Sequence, residues 1–426
     1  MDREIFVYID LNGQTVLVGR LWSRVRKGRE SASFEYDRTW LENPQRFALE
    51  PALTLAPGSF HTPPEKALFG AIGDSAPDRW GRVLMRRAER RNVESKGAEW
   101  EGETPRTLFE ADFLLRVDDE ARQGALRFKI DPEGPFLAPK NGLRIPPLVE
   151  LPRLLSAAER FVGEEENDED LRLLIVPGSS LGGARPKASV RDRDGHLALA
   201  KFPHRQDDIN VVLWEGVALS LADKAGVEVP DWRIQQIGGK PVILIRRFDR
   251  VEGRRIPFLS AMSMLGANDN EPHSYLEIAD ALRQYGAATK TDLIQLWRRI
   301  VFSVLVSNTD DHLRNHGFLY GSHQGWRLSP AYDINPVPVD IRPRVLSTSI
   351  DLDDPTASID LSLETAEYYG LKPADAKHIA SEVAQAVSGW REEAARLGIA
   401  AREIERMASA FAHEDLDKAL CLIQTR

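Results

Sequence analysis

Cysteine is almost absent from this chain: Cys421 stands alone among 426 residues. A single thiol excludes an internal disulfide framework and a multi-cysteine metal cluster, and it suits a reducing compartment. Long apolar runs are missing as well. No stretch approaches the roughly 18 consecutive apolar residues of a membrane-spanning helix, so no membrane contact is expected. The first residues, Met1 to Asp10, alternate charges with Ile, Phe and Val. They lack the basic-then-apolar layout of an export signal, and cytoplasm is the expected compartment. There is no internal repeat and no low-complexity tract. Positive charge is in deficit, with a formal net charge of −9, so the chain as a whole repels nucleic acid and only a local patch could attract it. The best patch is Arg79, Arg82, Arg86, Arg87, Arg90 and Arg91, on a helix predicted to begin near Pro77. A solvated helix face is the simpler reading, a docking face for tRNA or an acidic partner the other. The acidic run Glu164 to Asp170 reads in the same way as a solvated surface segment.

What is present suits a water-soluble globular protein: 42% hydrophobic and 28% charged residues, over a length that divides into two or three packed units. Ile5 to Trp22 alternates as a hairpin around Asn12 and Gly13. The proline-spaced stretch from Pro135 to Pro152 marks a boundary, which gives a first segment over 1–150, a second over 151–253 and a third, mainly helical, over 254–426. In the second, Leu171 to Val176 reads as a short strand, and a strand pair follows through the turn Asp192 to Gly195. Asn210 to Ala225 has helical spacing and stops at Gly226. The fold class expected is α+β.

The sharpest signal is Ser307-Asn-Thr-Asp-Asp-His-Leu-Arg-Asn-His-Gly317. It follows the apolar helical segment Leu293 to Val306 and precedes a predicted hairpin, Phe318–Tyr320 and Trp326–Leu328, which returns the chain so that Asp333 lands beside Asp310 and Asn315. Phosphoryl transfer needs one carboxylate to orient the attacking hydroxyl, with a carboxylate and an amide oxygen to hold Mg²⁺ on the phosphates. Asp310, Asp333 and Asn315 supply that set, and the spacing of Asp310 and Asn315 matches the Asp-x-x-x-x-Asn catalytic loop of protein kinases. The Phe and Gly that follow the metal-binding Asp in kinases are absent here. Ser179 to Lys187, with Gly182, Gly183 and Ala184, is a small-residue loop whose backbone could approach a polyphosphate closely. Lys201 on the next strand could reach the α- and β-phosphates of ATP, and Glu215 could fix it as an ion pair.

Taken together, Ser180-Leu-Gly-Gly-Ala-Arg-Pro-Lys187, Lys201-Phe-Pro203, Arg247-Phe-Asp-Arg250, Thr309-Asp-Asp-His-Leu-Arg-Asn315 and Tyr332-Asp333 resemble the HipA family of toxin kinases over essentially the whole chain. Asp74-Ser-Ala-Pro-Asp-Arg-Trp-Gly-Arg82 resembles that family's N-terminal module. The resemblance implies a bilobal protein-kinase-like fold with a β-rich N-terminal lobe and a mainly helical C-terminal lobe. It implies ATP and Mg²⁺ as cofactors, with Asp310 as proton acceptor, Asn315 and Asp333 as metal ligands, and His312 close to the nucleotide. Arg185, Lys187, Arg247, Phe248 and Tyr332 join the nucleotide-binding set. It further implies autophosphorylation of Ser180, with Ser179 as second choice, a small helix-turn-helix antitoxin that carries any DNA contact, and a protein substrate such as an aminoacyl-tRNA synthetase. One departure stands at Arg246, where the family often has a hinge glutamate.

Plainer roles exist for the same residues. Asp310 and Asp311 could be helix caps, the preferred reading for Asp311. Lys201 could be a snorkelling edge-strand lysine. Phe248 and Trp297 suit the core, and Arg247 to Arg250 suits a structural ion-pair hub as well as a hinge. Two rival functions remain: a metal-dependent phosphoesterase or nuclease using Asp310, Asp311, His312, Asn315 and His316, and an inactive scaffold in a DNA-bound repressor complex.

Overall fold

Asn12 and Gly13 both adopt left-handed backbone, with φ of 52° and 80°, the conformation that a two-residue hairpin turn requires at each central position. They join strand β1 (Asp2–Leu11) to β2 (Gln14–Arg26), so the hairpin expected over Ile5 to Trp22 is present and runs beyond it at both ends. The computed structural model describes residues 2–94, 106–137, 145–178, 183, 185–204, 207–321 and 325–423. The chain divides into two compact units, Met1–Gln206 with Gln235–Leu259, and Asp207–Ile234 with Ser260–Arg426.

The first unit is rich in strands. β3 (Arg29–Tyr36), β4 (Ser59–His61) and β5 (Leu126–Lys129) extend the hairpin into a sheet ordered β4-β3-β2-β1-β5. A second sheet holds β6 (Lys187–Arg191), β7 (Leu197–Lys201), β8 (Trp232–Ile237) and β9 (Lys240–Arg246) in the order β6-β7-β9-β8. Lys187 lies directly opposite Lys201, and Ala188 opposite Ala200. Directly opposed residues share a face, so the two lysines start from one side of the sheet and the two alanines from the other. The alanine side, with Val190, Val242 and Leu244, belongs to one core with Trp80, Leu154, Phe161 and Leu174.

Leu174 reveals a correction. Leu171 to Val176 is not a strand but part of a helix, Asp168–Gly178, that follows the helix Leu151–Val162. A short apolar run has no period long enough to separate strand from buried helix. Here Asp168, Glu169 and Asp170 sit in the first turn, where acidic side chains suit the helix dipole. The small-residue loop therefore leaves a helix rather than a strand.

The acidic run is corrected in part: Glu164, Glu165, Asp168 and Glu169 are exposed as expected, but two of its carboxylates are not. Glu166 and Asp170 are each 3% exposed. Glu166 faces Arg87 at 3.0 Å and Arg91 at 3.5 Å, both from the helix Arg79–Glu94, and Asp170 is paired with Arg160. Arg82 of the same helix pairs with Glu110 and lies over the Phe113 ring. Arg82, Arg87 and Arg91 are thus paired and half-buried, while Arg79, Arg86 and Arg90 stay exposed, as expected of a solvated face.

The second unit is mainly helical. Its helices include Val211–Lys224, capped by Asn210, Tyr275–Tyr285, opened by a capping box of Ser274 and Glu277, Thr289–Leu305 and Pro373–Ser388. Thr289–Leu305 is buried through Leu296, Trp297, Ile300, Val301 and Val304, and the Trp297 indole donates to the Ser362 carbonyl at 2.9 Å. The class is α+β, as expected. Among the described residues no helix is long and apolar enough to cross a membrane.

Candidate active site

The buried helix Thr289–Leu305 ends at a loop that bends through Ser307 at φ 51°. Left-handed backbone is unusual for a non-glycine residue and tends to gather at functional loops. Asp310 follows, its side chain 66% exposed. Its main chain is fixed: the Asp310 carbonyl accepts from the backbone N–H of His312 at 3.0 Å and from Asn315 Nδ2 at 3.1 Å. Asn315 is buried in the short turn Leu313–Asn315. With its amide nitrogen committed to Asp310, its oxygen is turned the other way.

Asp311 is not a helix cap. It is buried and accepts the Tyr275 hydroxyl at 2.6 Å, with Ser303 Oγ at 3.4 Å, and its carbonyl accepts from Thr348 Oγ1 at 2.7 Å. His316 Nε2 lies 3.2 Å away, close enough for charge attraction but not aligned as a hydrogen bond. Burial opposes ionisation of Asp311, yet the His316 charge and the His316 and Tyr275 contacts outweigh it and hold the carboxyl below its ordinary range. Adjacent aspartates therefore have opposite environments: Asp310 faces out, and Asp311 braces the loop from within. Asp311, committed to the Tyr275 and Ser303 hydroxyls, is poorly placed to serve an open two-metal site. Among the described residues no group of three or more His, Cys, Asp or Glu side chains could hold a metal ion.

The strands Gly317–Gly321 and Gly325–Leu328 pair as an antiparallel hairpin; residues 322–324 of its expected turn lie outside the described residues. Beyond it, three contacts pin the next segment to the loop. The Tyr332 hydroxyl donates to the Arg314 carbonyl at 2.7 Å, Asn335 N–H to Asn308 Oδ1 at 3.0 Å, and Val337 N–H to the Ser307 carbonyl at 3.1 Å. Asp333 sits between these anchors at φ 58°, and Asn335 Nδ2 bonds both its carbonyl and its Oδ1 at 3.2 Å. The two segments that carry Asp310, Asn315 and Asp333 are thus brought together. One carboxylate and one amide oxygen make a hard, sparse donor set, which fits Mg²⁺ because that ion keeps several waters and takes phosphate oxygens for the rest.

Of the remaining candidates, Ser179, Ser180, Gly182 and Ala184 lie outside the described residues. Gly183 has φ 101°, and a Cβ there would come within 2.7 Å of the Lys187 ammonium, so only glycine fits. Lys187 is 3% exposed and faces Asp78 at 3.1 Å, and its carbonyl accepts from the Trp80 indole N–H at 3.0 Å. Burial raises the Asp78 carboxyl above its ordinary value, with Lys187 opposing the rise. Arg185 is exposed beside this turn. Lys201 ends β7 in the first unit, whereas Glu215, buried on the helix Val211–Lys224, belongs to the second. Arg247 is buried; its three nitrogens bond Asp249 and the carbonyls of Ala121 and Arg122, and Arg250 joins the same hub. Phe248 is half-buried, its ring 6.4 Å from Phe258.

Residues 179–390 match the HipA-like C-terminal domain. This chain carries a HipA-like C-terminal domain. The HipA-like domain contains every candidate named from Ser179 to Asp333, while Asp78 and Trp80 precede it. Two curated relatives are each named as a putative kinase. Y4mE of Sinorhizobium fredii (strain NBRC 101917 / NGR234) is 26% identical, over 36% of this chain and 41% of its own. A Haemophilus influenzae protein (strain ATCC 51907 / DSM 11121 / KW20 / Rd) is 23% identical, over 41% of this chain and 56% of its own. The matched regions thus span only about half of those relatives' lengths. A chain in the solved complex of the Shewanella oneidensis MR-1 toxin–antitoxin system HipA, HipB and its operator DNA is 16% identical, covers 98% of this chain and is covered over 96% of its own, with a TM-score of 0.64. That likeness shows the fold.

Tyr275 and Arg342, whose guanidinium lies 2.8 Å from Asp310, left no sign in the sequence, and His316 stood beside Asp311 there only as a rival metal ligand. No motif spacing links residues 32 to 36 positions apart.

Proposed function

We propose that this chain is an ATP- and Mg²⁺-dependent protein kinase acting on serine or threonine hydroxyls, and the cytoplasmic toxin of a toxin–antitoxin pair. The observation that carries the reading is the pinning of the Asp333 segment to the Asp310–Asn315 loop, inside a HipA-like domain. Asp310, exposed on a fixed backbone, is the proton acceptor for the attacking hydroxyl. Asn315 Oδ1 and the Asp333 carboxylate hold Mg²⁺, which when bound neutralises charge on the phosphates. Lys201, supported by Glu215, serves the α- and β-phosphates, and the loop 179–187 with Arg185 and Lys187 cradles the polyphosphate. His312, Tyr332 and Phe248 complete the nucleotide set. Arg247 has its nitrogens committed elsewhere and acts on that set through the hub it builds.

Ser180 is the proposed autophosphorylation site, with Ser179 second, because a dianionic phosphate there competes with ATP for the same donors. The Shewanella complex holds HipA, HipB and operator DNA, which supports a HipB-like partner here and DNA contact through it. The protein substrate is proposed to be an aminoacyl-tRNA synthetase or another translation component. Incubation with γ-labelled ATP and Mg²⁺, followed by peptide mapping, tests the reading: label on Ser180 or on a protein acceptor supports it, and metal-dependent phosphodiester cleavage or inertness contradicts it.

A further inference from the structure

We infer that Arg342 is a positioning residue for Asp310, a role that rests on the kinase reading and names the group that aims its proton acceptor. Arg342 Nη1 donates to Asp310 Oδ1 at 2.8 Å, the one side-chain hydrogen bond that Asp310 makes among the described residues. Arg342 Nη2 donates to Ser347 Oγ at 3.1 Å. Ser347 in turn gives both its backbone N–H, at 3.0 Å, and its hydroxyl, at 3.1 Å, to the carbonyl of Thr309. Thr309 precedes Asp310, so the contacts close into a ring of four residues around the base of the loop.

The arginine is itself set in place by a turn in which the N–H groups of Ile341 and Arg342 both reach the Pro338 carbonyl, at 3.0 and 3.2 Å. Two positions along, Arg344 Nε bonds Ser307 Oγ at 3.1 Å and Nη2 bonds the Val304 carbonyl at 2.9 Å. Contacts from Arg342, Arg344 and Ser347 thus tie the segment 338–347 to residues 304–310.

Stability is a poor explanation for the pair. The side chains of Asp310 and Arg342 are 66% and 39% exposed, and ion pairs so open to water add little to folding. Orientation is a better one. An exposed aspartate on a loop samples several rotamers, and a proton acceptor works only in a narrow range of geometry. With Oδ1 held by Arg342, Oδ2 is left for the acceptor hydroxyl. In the transfer step the hydroxyl oxygen bonds the γ-phosphorus, its proton passes to Oδ2, and the bond from the γ-phosphorus to the β–γ bridging oxygen breaks, its electron pair leaving with ADP. A bare carboxylate at that point repels the phosphoryl oxygens; the neighbouring guanidinium offsets the repulsion.

The test is kinetic, on the full chain, with Arg342→Ala, Arg342→Lys and Ser347→Ala. Arg342→Ala is expected to lower kcat about 10- to 100-fold, the range set by a misaimed group, while KM for ATP stays within about two-fold. Arg342→Lys recovers part of the loss and Ser347→Ala shows a smaller one. Carbodiimide labelling of Asp310, read by mass spectrometry, is expected to be faster in Arg342→Ala than in the wild type. Unchanged or raised kcat, a loss confined to KM, or equal labelling overturns the role. A wild-type chain that labels as expected but transfers no phosphate sinks the kinase reading, and the positioning role with it.

Discussion

Tyr332 donates its hydroxyl hydrogen to the main-chain carbonyl of Arg314 at 2.7 Å, joining residues that a whole hairpin separates in sequence. With Asn335 on Asn308 and Val337 on Ser307, it seats Asp333 against the loop of Asp310 and Asn315. The left-handed backbone of Ser307 and of Asp333 lies on the two sides of this junction. Such conformations persist only where neighbouring contacts over-determine them, and the three anchors supply that constraint.

Asp310→Ala is expected to lower phosphate transfer by at least ~10²-fold, the scale of losing a positioned proton acceptor. Because the side chain is mostly exposed, thermal stability should change little. Turnover equal to the wild type, measured by transfer of labelled phosphate, would remove Asp310 from the mechanism.

Asp333→Ala is expected to abolish the Mg²⁺-dependent part of nucleotide binding. Asn315 alone offers one neutral oxygen, too little to hold a hard dication. Calorimetric titration with ATP, with and without Mg²⁺, checks this, and wild-type affinity in the variant rejects the assignment.

Tyr275→Phe removes the donor at 2.6 Å from a buried, ionised Asp311. Hydrogen bonds to charged groups contribute about 1.5–3 kcal/mol, so a loss of that order should appear in chemical denaturation. No change would show that Ser303 and His316 satisfy Asp311 by themselves.

His413 carries a pH dependence whose sign follows from its contacts. Its Nδ1 accepts the Leu416 N–H at 3.4 Å as a helix cap, which leaves Nε2 to donate to the Leu305 carbonyl at 3.2 Å. Only the neutral ring does both. Burial first, and the Arg344 charge second, depress its pKa from 6.5 to about 4. The folded state thus binds this proton less readily than the unfolded one. The stability it contributes is complete above pH 6.5 and is lost as pH falls toward 4, by at most about 3 kcal/mol at 1.36 kcal/mol per unit. His413→Gln should flatten that limb of the melting temperature against pH; an unaltered slope would contradict the assignment.

Much of this was legible in the sequence wherever local chemistry decides local structure. Asn12-Gly13 announces its hairpin and Asn210 its helix. The run from Ser307 to Gly317 stood out because polar residues of one chemistry follow directly on an apolar helix. What was not legible is tertiary. Leu171 to Val176 was too short for its period to separate helix from strand. Asp311 looked like a cap because caps are local, whereas its partners Tyr275 and Thr348 come from 36 and 37 residues away. Glu166 looked solvated because Arg87, 79 residues off, leaves no trace in the acidic run. The tie between Arg342 and Asp310 is of the same kind.

Asn315 and Asp333 are proposed to hold one metal ion on one nucleotide. Crystals grown with a non-hydrolysable ATP analogue and Mn²⁺ in place of Mg²⁺ test this directly, because anomalous scattering locates the ion without reference to the chain. A peak is expected within coordination distance, about 2.0–2.1 Å, of Asn315 Oδ1 and an Asp333 carboxylate oxygen, with phosphate oxygens and water completing the shell. A peak on Asp311 and His316, or a bound nucleotide whose ion touches neither Asn315 nor Asp333, would contradict it.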